Sequence, residues 1–183
     1  MTQLNKETLG AFDPSIPSGA DYTYSYEMGV DIYDDAKSQW QKIRQISDVD
    51  PARTPITQSA PTYSDKGAPN EVVTSESWTL SFFVQELHLP DGSVLPELEL
   101  LRSAEEPTAM GAKANRQFRW YDEPAGGRKP DPDKAYSGIG TVSMTRAQTS
   151  ADGNVAGYNV TITGKGRRTK IANPLTSAAS SSV

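Results

Sequence analysis

The 183-residue chain has no cysteine and a single histidine, His88. Without cysteine there is no disulfide framework and no thiolate zinc or iron–sulfur site. One histidine leaves no His-rich metal cluster and little acid–base chemistry poised near neutral pH. Long apolar runs are also missing, since none approaches the roughly 18 residues of a membrane span. Positive charge is in deficit, with 18 Lys and Arg against 23 Asp and Glu and a net charge of −5. That balance argues against a general nucleic-acid binder, whose affinity depends on neutralising phosphates. Met1 opens a polar stretch rather than a signal peptide, which predicts synthesis in a cytoplasm. Counted with glycine and without tyrosine, the apolar share is about 39%, against roughly 45–50% in an ordinary globular domain. Part of the chain is therefore expected to lie outside the core.

What is there is mostly strand pattern. Trp78, Leu80, Phe82 and Val84 alternate with Thr79, Ser81, Phe83 and Gln85, the period of two of a half-buried strand. Phe83 interrupts the polar face, so cover on both sides is expected there. Phe118 and Trp120, Val142 and Met144, and Tyr158, Val160 and Ile162 alternate in the same way, and a further strand is expected from Trp40 to Ile46. The Asp152-Gly153 pair favours a tight antiparallel hairpin between the last two segments. One helix is predicted over 94–106. Ser93 would cap it, Pro96 sits in its first turn, and Glu97 and Glu99 lie at its positive end. Leu95, Leu98 and Leu101, with Leu100 and Ala104, make its apolar stripe, and Pro107 and Gly111 end it. The fold class is mainly β: an antiparallel sandwich or barrel with one flanking helix.

Three polar segments frame this domain of residues 30–174. Residues 1–29 read as an extended arm anchored by Tyr22, Tyr24 and Tyr26, or as a disordered leader. Residues 50–70, with four prolines, read as a long inter-strand loop, a length found in functional or disordered segments. Residues 175–183 are Ser/Ala-rich and read as a flexible tail. Opposite the apolar strand faces lie Thr, Ser, Asn and Gln with almost no charge. Such a face suits contact with another protein or a channel that must not hold what passes; it also suits threonine as a good strand former. Residues 1–35, which include Asp34 and Asp35, carry a net charge of −6, and residues 164–183 carry +4 from Lys165, Arg167, Arg168 and Lys170. Opposite ends of opposite sign suit a head-to-tail contact between copies, or an arm folded back on its own basic end.

The search for chemistry finds no active site. His88 precedes a Pro90-Asp91-Gly92 turn, the position of a surface residue. Gly164-Lys165-Gly166 lacks the spacing of a phosphate loop. Asp131-Pro132-Asp133 lacks the regular acids of a calcium loop, and no serine sits in a nucleophile elbow. Asn159-Val160-Thr161 matches a glycosylation sequon, but within a strand and without a secretory signal. The chain is expected not to be an enzyme and to need no cofactor or metal.

The segments have an informative order. After the arm, Trp40 opens a stretch ending in Ile46-Ser47-Asp48-Val49, followed by the proline-rich segment and Ser77-Trp78-Thr79-Leu80-Ser81-Phe82. The Leu-rich helix, Phe118-Arg119-Trp120-Tyr121-Asp122 and Ala135-Tyr136-Ser137-Gly138 come next. Val160-Thr161-Ile162-Thr163-Gly164-Lys165-Gly166 closes the series. Over about residues 28–174 this order and spacing resembles the major tail tube proteins of bacteriophages with long, non-contractile tails. The resemblance implies a structural virion protein, assembled in the host bacterial cytoplasm as stacked hexameric rings that form a hollow tube for genome delivery. It implies partners too: further copies of the chain, the tape measure, tail tip and tail terminator proteins, and DNA in transit, with no membrane. Parts of neighbouring sheets would join into a continuous inner barrel, and the arm and the 50–70 segment would bridge successive rings.

On that reading Ser81, Gln85, Ser143, Thr145, Asn159 and Thr161 are candidates for the wall of the bore. Tyr22, Tyr24, Tyr26, Asp34, Asp35, Tyr63, Lys165, Arg167, Arg168 and Lys170 are candidates for contacts between subunits. One departure is visible, because tube interiors of the family are acidic and the polar faces named here are largely uncharged. The alternative is a monomeric carbohydrate-binding β-sandwich, which would use Tyr22, Tyr63 or Tyr121 as stacking platforms.

Overall fold

The computed structural model describes residues 22–178. Most of the 1–29 arm and the last residues of the 175–183 tail lie outside that range. Among the described residues eight strands form one antiparallel sheet: β1 (Met28–Asp34), β2 (Gln39–Lys42), β3 (Ile46–Ser59), β4 (Glu71–Gln85), β5 (Asn115–Asp122), β6 (Ala135–Ala147), β7 (Gly157–Gly164) and β8 (Thr169–Lys170). Their order is β2-β1-β5-β6-β7-β4-β3, with β8 paired to the start of β6. Helix α1 (Pro96–Glu105) flanks the sheet and a short α2 (Pro174–Ala178) follows it. The mainly β class with one flanking helix is observed. Among the described residues the sheet is not closed into a barrel, and β2 and β3 are its edges.

The sheet bends along β6, whose residues 135–141 pair with β5 and 140–147 with β7. At the change-over two glycines are required by close approach. A Cβ on Gly138 would lie 2.4 Å from the Trp78 ring, and one on Gly140 would lie 2.5 Å from Ile162. The bend lets the two halves face each other. Val30, Ile32, Phe118 and Trp120 from one half pack with Trp78, Leu80, Phe82, Val84, Val160 and Ile162 from the other. Trp78 and Trp120 meet across the middle at 5.1 Å between ring centroids. The indole N–H of Trp78 donates to the Gly166 carbonyl at 3.0 Å, so the ring also pins the chain leaving β7.

Several expectations are corrected. The strand expected from Trp40 to Ile46 is broken, because the chain leaves β2 at Lys42 and enters β3 only at Ile46, with Gln45 at φ +58°. Much of the 50–70 segment is strand rather than loop. Residues through Ser59 continue β3 in pairing with β4, and only 60–70 connect the two. Proline is tolerated there because β3 is an edge strand. The connection between β6 and β7 is nine residues long, 148–156, rather than a tight turn. The predicted cap of α1 also differs: Ser93 binds Asp91 in its own turn, and Leu95 occupies the cap position before Pro96. The tail expected from 175 begins inside α2, where the buried Asn173 accepts the Leu175 N–H and donates to the Asp122 carbonyl.

Helix α1 is docked by charge as well as by Leu98, Leu101 and Ala104. Glu97, in the first turn of the helix as expected, is buried, and Arg44 binds it in a fork with Nε and Nη2 at 2.7 and 3.0 Å. Burial by itself raises a carboxyl pKa; here the Arg44 hydrogen bonds and charge outweigh it and hold Glu97 below its ordinary range. A carboxyl whose pKa is depressed by folding stabilises above its unfolded value and loses that contribution as pH falls through the folded one. Stability is therefore expected to drop between about pH 5 and pH 3, and Glu97→Gln to flatten part of that drop in urea melts. Arg44 is half exposed and can be solvated alone, whereas a buried Glu97 cannot. Arg44→Ala should accordingly cost about 3 kcal/mol and Glu97→Gln about 1 kcal/mol at pH 7. Equal losses would refute the asymmetry.

Candidate assembly surface

The outward residues of β4, β7 and the second half of β6 align into rows. Ser81, Thr161 and Ser143 lie side by side across three strands, with Phe83, Asn159 and Thr145 in the next row. Gln85 lies one step further, opposite Gly157, and Thr79, Thr163 and Thr141 form the row on the other side. Ser143, Thr145, Asn159 and Thr161 are exposed, while Ser81 and Gln85 are half-buried. The six bore candidates therefore share one face. Phe83 interrupts it without needing a second protein layer. Its ring packs where a Cβ on Gly157 would be, 2.6 Å from such an atom.

The face continues onto β3 and along the hairpin that β3 makes with β4. Asp50 and Ala52 stand opposite Ser81 and Thr79, and Thr54 and Ile56 stand opposite Ser77 and Ser75. Across these strands no residue of the face is Lys or Arg. The charges it does carry are acidic and lie at the rim. Asp50 is one; Asp48, in a bulge at φ +54°, is the other and borders a depression with Ser81, Asn159 and Thr161. Neither acid was among the bore candidates, because their placement depends on the bulge and register of β3. Both bring the face nearer to the acidic character that the family resemblance implies.

The opposite side of the hairpin base is charged. Arg53 pairs with Glu76, whose carboxyl is held low first by that hydrogen bond. Arg167 donates to the Thr74 carbonyl at 3.0 Å, and Arg168 lies 3.9 Å from Glu76 and over the Tyr136 ring. Arg53, Thr74, Glu76, Arg167 and Arg168 border a cleft of about 310 Å³. Lys170 pairs with Asp133 at 2.7 Å. Arg168 and Lys170 thus have acid partners within their own subunit, one on β4 and one in the β5–β6 connection.

The acids of residues 22–35 are largely committed as well. Glu27 binds Arg128 and the Ala125 N–H, and Asp31 binds Arg119 and the Tyr121 hydroxyl. Asp34, a contact candidate, is only 3% exposed, and its carboxylate accepts from the Ala36 and Lys37 amides of its own turn. That removes it from the subunit surface. Asp35 remains exposed, bordering a cleft with Lys165, Arg116 and Ile139. Tyr121 is corrected too: it is 3% exposed, and burial and then Asp31 push its hydroxyl pKa up, so it offers no stacking platform.

The exposed tyrosines lie at two places. Tyr22, Tyr24 and Tyr26 precede β1, with the rings of Tyr24 and Tyr26 stacked at 5.3 Å. Tyr63 is fully exposed at the tip of the hairpin. That tip is ordered by Asp65, which accepts from the Thr62 hydroxyl and amide and from Asn70; the Thr62 bonds chiefly hold its carboxyl low. Residues 52–59 and 71–74, the strands below the tip, are exposed on both faces. An isolated two-stranded ribbon is marginal in water, and this one displays Ile56, Val72 and Val73.

Two sheet margins complete the surface. β3 has β4 on one side and no strand on the other, and β6 over 142–147 has β7 on one side only, among the described residues. Among those residues no group of three or more His, Cys, Asp or Glu could hold a metal ion, and no helix is long and apolar enough to cross a membrane. Neither the protein-family models nor the curated proteins gave a match to the chain.

Proposed function

We propose that this chain is the repeating subunit of a phage tail tube, assembled from further copies into stacked rings, with the cation-free sheet face lining the bore. The observation that carries this is the face itself: a surface of four strands bearing hydroxyls and amides, two acids at its rim and no base. DNA passing such a wall meets no fixed positive charge to bind its phosphates, and the acids repel them. The resemblance in segment order to tail tube proteins points the same way. So does the exposed hairpin, which the described residues of its own subunit leave uncovered on both faces. Tape measure, tip and terminator proteins are the further partners that this function requires.

The full chain is expected to form hollow tubes or stacked rings in negative-stain electron micrographs as its concentration is raised. A chain that sediments as a monomer throughout, with featureless micrographs, would contradict the proposal and favour the carbohydrate-binding alternative.

A further inference from the structure

Strand β2 is an open edge at the far end of the sheet; the two margins that border the cation-free face, β3 and β6 over 142–147, differ in what they offer. The Met144 N–H points away from β7, because it donates to Glu105 at the end of α1 at 2.8 Å. Strand residues alternate in direction, so Val142 and Arg146 also turn their N–H and C=O groups outward. The direction at β3 is fixed by Gln85, whose N–H donates to the Gln45 carbonyl at 3.0 Å. Odd-numbered residues of β4 from Ser81 to Gln85 therefore bond toward β3, and Asp50, opposite Ser81, bonds inward. Pro51, Arg53 and Pro55 then face outward. Two of these three have no N–H, so the β3 margin presents three carbonyls and a single donor. The β6 margin presents a full set of donors, one of them already held by a carboxylate.

We infer that the β6 margin at 142–147 pairs with the β3 margin at 51–55 of a second copy, and that Glu105 occupies the Met144 donor until that strand arrives. This rests on the reading of the chain as a self-assembling subunit, and it names which margin meets which. Two β3 margins would bring proline rings to positions that need donors. Two β6 margins would bring the Glu105 carboxylates together. Donor margin to acceptor margin is the complementary arrangement, and it is head-to-tail, so it propagates. The Glu105 oxygen stands where a partner's carbonyl would stand, which covers the margin of the separate subunit.

Thiol cross-linking of the otherwise cysteine-free full chain tests this. Ala52→Cys marks the acceptor strand and Thr145→Cys the donor strand, both exposed. Three strand spacings, about 14 Å, separate β3 from β6 within a subunit, so a bismaleimide reaching about 10 Å spans only directly paired or diagonal neighbours across a new strand pair. The double variant is expected to give a ladder of covalent oligomers, and neither single variant a dimer. A dimer from either single variant, or no ladder from the double variant, overturns the pairing. Adding Glu105→Ala should speed ladder formation several-fold; an unchanged rate overturns the role of Glu105. A ladder without tubes in micrographs supports the pairing and defeats the tube. Tubes without a ladder do the reverse.

Discussion

Trp78→Ala is expected to cost about 4 kcal/mol of folding free energy, the range for an aromatic deleted from a packed core. The ring is 2% exposed, touches Trp120 across the bend and carries the hydrogen bond to Gly166. It also fills the space that a side chain on Gly138 or Gly164 would take; a Cβ on Gly164 would lie 2.3 Å from it. Gly164→Ala approaches the same site from the other side and should also destabilise, by about 1–3 kcal/mol, through overpacking. Urea melts measure both. A loss below about 1 kcal/mol for Trp78→Ala would show that the two halves of the sheet are not joined through this ring. The consequence reaches the assembly surface, because the 164–168 segment that Trp78 holds carries Arg167 and Arg168 to the hairpin base.

Replacing residues 55–76 with Asn-Gly is expected to abolish self-assembly while leaving the fold intact. Thr54 and Ser77 are already opposite each other, so a two-residue turn can close the shortened hairpin there. Nothing removed is fully buried, and the change in stability should stay within about 1 kcal/mol. Arg53 and Arg168 lose Glu76, but the same deletion opens the hairpin base around them to water. Sedimentation of the shortened protein would show monomers at concentrations where the full chain polymerises. Normal polymers from the shortened chain would remove the hairpin from the assembly.

The sequence is legible where period and burial coincide. Trp78, Leu80, Phe82 and Val84 alternate as a half-buried strand should, and the structure buries all four. The face opposite them was readable for the same reason, since a register that buries Val160 and Ile162 must expose Asn159 and Thr161. Composition misled at 50–70. Proline there signalled a loop, but an edge strand has an outward side on which a missing N–H costs no ladder bond. Strand β1 escaped because Asp31 and Asp34 interrupt its apolar pattern; both are buried beside partners distant in sequence or in a turn. Glu97 is legible as a first-turn acid, but its burial against Arg44 is not, because nothing local announces that partner. The acids at 48 and 50 needed a bulge to be put on the face, and bulges depend on pairing that a single strand does not encode.

A cryo-electron microscopy map of the polymer would locate Thr161 and Ser143 directly. A hollow tube of repeating rings is expected, with both residues on the inner wall, Asp48 and Asp50 near them, and no Lys or Arg of β3, β4, β6 or β7 pointing into the bore. A tube with that face turned outward or buried against another layer, or a chain that forms no repeating lattice, would contradict the proposal.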